Sequence, residues 1–262
     1  MTNMEIADLR ALSDARTLLE RPSLAARLSG FVGSPLEKGM ARLPAGWRTR
    51  IATAAHDALG HAMDAAAKTL DASPRAASPR LHKALGTLSG GVGGAFGLAG
   101  LGVEIPLSTV LIMRTILDTA RGEGEVPADP ATRLAALEVF ALGGRSDADD
   151  AAESGYYAMR AALAGAVSEA ARHLAQKGLA QEGAPALLRL ISMVAARYKV
   201  QLTQKAAGML VPGIGAAAGA SINLIFMDHF QSVSRGHFTV RRLERRYGAD
   251  AVRDAYLEAV PR

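Results

Sequence analysis

The sequence predicts an all-α protein, a single-domain multi-helix bundle built around two packed glycine- and alanine-rich helical segments. Hydrophobic residues make up 49% of the 262 residues but aromatic residues only 5%, so the core must consist mainly of Ala, Leu, Val and Gly. Such a composition suits closely packed helices better than a β-sandwich, which needs β-branched and aromatic side chains. No useful stretch alternates between apolar and polar residues, whereas helix start and stop signals recur along the chain.

The N-terminal third is predicted to begin with peripheral structure. Residues 4–20 carry apolar side chains near helical spacing and predict a short peripheral helix, loosely attached to the rest. Residues 21–44 contain three prolines and three glycines, so we expect irregular chain with one or two helical turns. The alanine-rich residues 47–70 predict a long helix.

Proline and glycine set the remaining predicted boundaries. Ser78-Pro79 is a strong helix start, since serine caps exposed amides and proline suits the first helical position. That helix is expected to bend or break over 100–106 and to resume over 107–121. The further predicted helices run over 130–142, from a capping box at 146–149 to 177, over 185–209, through a second glycine run to 235, and over 237–247 and 251–259.

Two charge-free runs dominate the chain. Twenty residues separate Lys83 from Glu104, and twenty-two separate Lys205 from Asp228, which is the length of a bilayer crossing. Glycines spaced by four leave bare backbone on one helix face, where a second helix can approach closely. Glycine and alanine contribute little transfer free energy, and Pro212 interrupts the second run. A buried hairpin in a helical bundle and direct membrane contact are therefore both open interpretations.

Polar residues flank these runs and form a candidate polar site. Arg114 and Asp118 lie four residues apart in an apolar segment and are predicted to pair, because burying either charge alone is costly. If the two runs pack together, this site comprises Glu104, Arg114, Asp118, Asn223, Asp228 and His229. Such a cluster is either a stabilising polar network or a place where shifted pKa values permit chemistry.

A basic cluster near the C-terminus is a candidate membrane or partner surface. It consists of Arg235, Arg241, Arg242, Arg245 and Arg246, with apolar residues interleaved at helical spacing. Its alternatives are an ordinary solvated face and a contact with anionic lipid head groups or a partner.

Several function classes find no support in the sequence. The absence of cysteine excludes thiol catalysis and thiolate metal sites, and no histidine pair has zinc-site spacing. Residues 91–96 place phenylalanine where a dinucleotide fingerprint needs its third glycine, and no phosphate-binding Gly-Lys-Ser/Thr or serine-hydrolase elbow occurs. We expect no cofactor, no metal and no nucleic acid. The first twenty residues lack the apolar core of a signal peptide, which predicts a cytoplasmic protein.

Four segments in order carry a family resemblance: GGVGGAFGLAGLGVEIPLSTVLIMRTILDTAR, LEVFALGG, SGYYAMRAALA and VPGIGAAAGASINLIFMDHFQSVSRGHFTVRRLERRYG. Over about residues 43–256 the chain resembles the EcsC family of bacterial proteins. The resemblance implies an EcsC-like helical domain over 43–262, preceded by an N-terminal peripheral segment over 1–42. It also implies a link to an ABC transporter, secretion or protein processing, but no catalytic residue.

Two functional hypotheses follow. The first is a non-enzymatic helical protein associated with the inner membrane or a membrane complex. The alternative is a hydrolase-type enzyme that uses Glu104, Arg114, Asp118, Asp228 and His229. The enzyme hypothesis requires at least three of these side chains to converge on an open cavity. The sequence does not predict an oligomeric state.

Overall fold

The computed structural model describes residues 4–20, 24–32, 36–68, 101–142, 154–177, 185–210 and 216–259. Over these ranges the chain forms helices and no strand, which confirms the predicted all-α class. The ten helices described are α1 (Ile6–Leu19), α2 (Leu24–Val32), α3 (Leu36–Ala41), α4 (Trp47–Lys68), α5 (Leu101–Gly122), α6 (Pro130–Leu142), α7 (Gly155–Lys177), α8 (Pro185–Met209), α9 (Ala216–Tyr247) and α10 (Ala249–Glu258).

Helix α8 lies at the centre of the bundle, and the glycine-rich segments pack beside it. It contacts α2, α3, α4, α6, α7 and α9, and α5 packs against both α4 and α9. The described parts of the two glycine-rich segments therefore pack together as predicted. Although aromatic residues are few, four of their rings meet in the core, on Phe140, Tyr198, Phe226 and Phe230.

The chain between α1 and α4 is more helical than predicted. Residues 21–44 contain α2 and α3. Leu24 and Leu28, one helical turn apart, are each at most 1% exposed and join the main core. Gly39 lets α3 approach α8, since a Cβ added there would lie 2.1 Å from the carbonyl oxygen of Ala207. Burial against α8 thus outweighs the local breakers.

Helix α1 is firmly attached, and the prediction of a loose N-terminus is wrong. Leu12 and Ala15 are buried against the C-terminal helices. The guanidinium of Arg16 donates to the carbonyl oxygens of Tyr256 at 2.9 Å and Leu257 at 2.8 Å. Arg16 therefore satisfies carbonyl groups at the end of α10 that have no partner within their own helix.

Two predicted interruptions are absent. Helix α5 runs through Pro106. The proline lacks one amide near the start of the described helix, which costs a single hydrogen bond, whereas the side chains of Ile105 and Ile112 are buried in the core. Helix α9 runs through Gly236, where a Cβ would lie 2.6 Å from Leu19 Cγ. That glycine allows α1 to pack closely rather than ending a helix.

Several other boundaries agree with the sequence. Helix α6 begins at Pro130, α7 ends at Lys177 and α8 spans 185–209 as predicted. Gly248, with a φ of 87°, ends α9 in the left-handed conformation that favours glycine. The predicted start at residues 78–79, the capping box at 146–149, the interruption at Pro212 and the glycines at 86–97 lie outside the described residues.

Candidate functional site

Two members of the predicted polar site meet at a lysine inside the bundle. The ammonium of Lys205 on α8 contacts the carboxylate of Glu104 on α5 and donates to Asn223 Oδ1 on α9 at 2.7 Å. All three residues are at most 3% exposed. The ammonium also lies 4.7 Å from the ring centre of Phe226, a cation–π contact. This cluster joins three helices and is sealed from solvent.

The other predicted members lie in separate contacts. Asp118 pairs with Arg121 rather than with Arg114, which is half-buried, so the predicted Arg114–Asp118 pair is wrong. Asp118 and Arg121 lie three residues apart on α5, where a helix brings side chains together as readily as at a spacing of four.

Near the middle of α9, Asp228 accepts from the guanidinium of Arg27 on α2 at 2.7 Å. His229 is 7% exposed and packs edge-on against Phe230. Neither residue is among those that line two cavities of the bundle, one between α6, α7, α9 and α10 and one between α3, α4 and α8.

Glu104 and Asn223 of the predicted polar site thus meet at a buried lysine, and Asp118 and Asp228 pair with Arg121 and Arg27. The hydrolase built on these residues stays a prediction.

The arginine cluster of α9 is largely neutralised within the chain. Arg235 is exposed, whereas the other four members contact carboxylates of α1 and of the segment between α5 and α6. The pairs are Arg241–Glu125, Arg242–Asp8, Arg242–Glu123, Arg245–Glu125, Arg246–Glu5 and Arg246–Asp8. These contacts dock α1 onto α9 and leave little uncompensated charge for a lipid surface. The predicted lipid or partner contact by this cluster stays a prediction.

An apolar stripe lies on the exposed face of α5. We call it the α5 stripe: Gly102, Val103, Pro106 and Leu107, with the half-buried Val110 below them. Val103 is 77% exposed and Leu107 is 47% exposed, although valine and leucine side chains are often buried in a protein core. The stripe begins in the last two residues of the first charge-free run. Large exposed apolar side chains on one helix face are typical of a protein or membrane contact.

A cavity of about 690 Å³ lies between α6, α7, α9 and α10, and we call it the α6–α7 cavity. Its walls carry the small side chains of one face of α7, among them Ala161 and Ala164. Glu138, Tyr157 and Arg160 give the cavity a polar end. Burial raises the pKa of Glu138 from 4.5 to about 7, and the nearby Arg160 and Arg241 oppose that rise.

Behind this polar end lies a buried histidine. His237 is fully buried, and burial holds its pKa well below the ordinary value, so the ring is neutral. The Tyr156 hydroxyl lies 3.1 Å from His237 Nδ1, and Arg160 donates to that hydroxyl at 3.3 Å. His237 Nε2 lies 3.6 Å from Glu138 Oε2.

Comparison with known proteins decides the family. A model of the EcsC protein family matches residues 48–243, most of the chain. The chain belongs to the EcsC family. No curated protein and no solved structure matches it.

The EcsC match covers α4 to most of α9, and so it contains the buried Lys205 cluster, the α5 stripe and three of the four helices around the cavity. Helix α1, with the acidic partners Glu5 and Asp8, lies outside it, as does α10. Across the described ranges of this EcsC protein, no helix has both the length and the hydropathy needed to cross a bilayer.

Sequence reasoning missed both Lys205 and Glu138. Lys205 marks only the edge of a charge-free run, and its partners lie 101 and 18 residues away. Glu138 did carry a signal, because it is the one charged residue in the apolar segment 134–142. A lone carboxylate in such a segment predicts a buried, functional or partnered acid.

Proposed function

We propose that this EcsC protein is a non-enzymatic helical protein that associates with the cytoplasmic face of a membrane through the α5 stripe. The observation that carries the proposal is the exposure of Val103 and Leu107 one helical turn apart on α5. The stripe begins in the last residues of a charge-free run of bilayer length, for which membrane contact is one of the two interpretations.

A third exposed apolar side chain lies at the same level of the bundle. Glu104 and Asn223 contact the same lysine ammonium, and their sequence neighbours are Val103 and Leu224. Leu224 is 41% exposed. Removing the exposed part of each of these side chains from water contributes roughly 1–2 kcal/mol, which in combination supports reversible membrane binding.

The arginine cluster contributes little to this interaction. Since four of its five guanidinium groups pair with carboxylates of the same chain, attraction to anionic head groups is weak. The account therefore predicts membrane binding that persists at high salt, in contrast to binding by a free basic surface.

Vesicle co-sedimentation tests the proposal. The protein is mixed with phosphatidylcholine vesicles, with or without anionic lipid, at low and high salt. We expect sedimentation with both compositions, and its loss in the double variant Val103→Ser/Leu107→Ser. The matched control is Ile6→Ser/Leu188→Ser, since those residues are 71% and 42% exposed on α1 and α8.

Two other outcomes would contradict direct lipid binding. A protein that stays in the supernatant with both compositions refutes lipid binding through the stripe. Binding to native membranes but not to pure lipid vesicles would identify a membrane protein as the partner. The link to transport or secretion is part of this proposal through the family resemblance alone.

A further inference from the structure

The α6–α7 cavity has the dimensions and lining of a small-molecule site. Its volume of about 690 Å³ falls within the range usual for ligand pockets, roughly 300–1,000 Å³. Its apolar wall comes from α6 and α7, where Leu134, Ala135, Ala161, Ala164 and Val167 line one continuous side. Small side chains on that wall leave room for the apolar part of a ligand.

Glu138 is a largely buried acid of this cavity. It is 6% exposed, lines the cavity, and forms no hydrogen bond within the described part of the chain. His237 Nε2, at 3.6 Å, lies beyond hydrogen-bond distance. Buried carboxyl groups in folded proteins nearly always have a hydrogen-bond partner, either protein or water. A donor group of a ligand that enters the cavity can take that place.

Both arginines that act on Glu138 are already paired. Arg160 forms a two-point contact with Glu244, at 2.6 and 3.1 Å, and Arg241 forms one with Glu125, at 2.8 and 3.2 Å. Such bidentate pairs leave neither guanidinium free to take an anion without breaking a strong contact. A third arginine of the cavity wall, Arg253, is exposed on α10 and is not among the groups that shift the pKa of Glu138.

Tyr157 also lines the cavity, and its buried hydroxyl has no hydrogen-bond partner among the described residues. A protonated amine carries three donors and no acceptor, so it suits a carboxylate that lacks a donor.

We propose that the α6–α7 cavity binds a protonated primary amine on a short apolar chain. The ammonium donates to Glu138, and the apolar chain packs on the small side chains of α6 and α7. This site is distinct from the α5 stripe, so its existence does not depend on membrane association.

The charge state of Glu138 gives the proposal a pH dependence. The groups that face Glu138 are Tyr156 and Arg160 from α7 and His237, Arg241 and Glu244 from α9. Of these, the tyrosine and the histidine stay neutral near pH 7 because burial opposes their charged forms. Glu138, with a pKa of about 7, is the group that titrates there.

An ammonium ion binds the ionised carboxylate, so binding should tighten as the pH rises through 7. The expected change in affinity is about tenfold between one pH unit below and one unit above the pKa of Glu138. At pH 7, binding should release about half a proton for each amine bound, because about half of the free sites are protonated.

Titration calorimetry with hexylamine tests the proposal, with hexanol and hexanoate as probes of the same chain length. We expect hexylamine to bind more tightly than either, with a heat that depends on the ionisation enthalpy of the buffer. Glu138→Gln should weaken hexylamine binding at least tenfold and abolish the buffer dependence. Glu169→Gln, which changes an exposed carboxylate of α7 outside the cavity, is the control and should bind as the wild type does.

A second pair of variants tests the apolar wall. Ala164→Leu fills the cavity and should weaken binding, whereas Ala162→Leu changes an exposed alanine of the same helix outside the cavity and should not. Equal binding of the three probes, tighter binding of hexanoate, or unchanged binding in Glu138→Gln would each overturn the proposal.

Discussion

The ammonium of Lys205 contacts the carboxylate of Glu104 inside the bundle, where neither side chain is more than 2% exposed. A shared hydrogen bond to Asn223 extends the contact to a third helix. One cation thus connects α5, α8 and α9 at the level where the α5 stripe begins. Because both charges are out of water, each depends on the other.

Substitution of Lys205 by methionine should therefore be strongly destabilising. The variant leaves the Glu104 carboxylate buried without its cation, at a cost of about 3–5 kcal/mol in the free energy of unfolding. Adding Glu104→Gln should recover part of that loss. Urea denaturation of the single and double variants measures both effects.

Lys199→Met is the matched control, because Lys199 lies on the same helix and is only half-buried. Its expected cost is within about 1 kcal/mol. An equal loss in both lysine variants would show that the buried ion pair has no special role.

Gly236 should tolerate no side chain. An added Cβ would lie 2.6 Å from Leu19 Cγ and 3.0 Å from the carbonyl oxygen of Ala15, so Gly236→Ala should push α1 away from α9 and cost about 1–3 kcal/mol. Gly165→Ala, in α7 with open space around it, should instead stabilise by up to about 1 kcal/mol. Thermal unfolding compares the two; a stabilising Gly236→Ala would contradict the close packing of α1.

The carboxyl of Glu138 should reduce stability as the pH rises. Its pKa is about 7 in the folded protein against 4.5 as the ordinary value, so the folded state holds its proton more tightly. The free energy of unfolding therefore falls as the pH rises from 4.5 towards 7 and then levels off.

Glu138→Gln removes this pH-dependent loss of stability. The variant should be more stable than the wild type by about 3 kcal/mol above pH 7, and the difference should shrink on acidification. Urea denaturation over this pH range measures it. A variant that is less stable than the wild type at high pH would refute the raised pKa.

Asp8 should act in the opposite direction. A hydrogen bond from Tyr247, aided by Arg242 and Arg246, holds the pKa of Asp8 below its ordinary 3.8. Its stabilisation is therefore present above pH 3.8 and is lost as the pH falls through the lower folded pKa. Asp8→Asn should be less stable than the wild type at neutral pH, with a difference that narrows in acid.

Asp14→Asn, at an exposed position of the same helix, serves as the control and should match the wild type throughout. The docking of α1 by ion pairs would be contradicted if Asp8→Asn had no effect at neutral pH.

Local signals predicted much of the fold but failed where burial outweighs them. Proline and glycine near true helix ends, such as Pro130 and Gly248, gave correct boundaries. The same residue types at Pro106 and Gly236 predicted breaks that do not occur, since flanking side chains are buried in one continuous core. Sequence spacing cannot distinguish a glycine that ends a helix from one that admits a neighbouring helix.

Contacts between residues that are far apart in the sequence limited how much of the candidate site could be predicted. The sequence grouped Glu104 and Asn223 in one candidate site if the two runs pack together, but it did not indicate that both contact Lys205. Glu138 and His237 are nearly a hundred residues apart, so no local pattern joins them. The partners of the arginine cluster come from two other segments, which spacing along α9 does not reveal.

Fractionation of cells that contain the protein at its native level tests the central claim most directly. Membranes are washed in high salt and then in detergent, and wild type is compared with Val103→Ser/Leu107→Ser. The account predicts that wild type remains with the membrane in salt and is released by detergent, and that the variant moves to the soluble fraction. Wild type that is wholly soluble, or released by salt alone, would contradict membrane association through the α5 stripe.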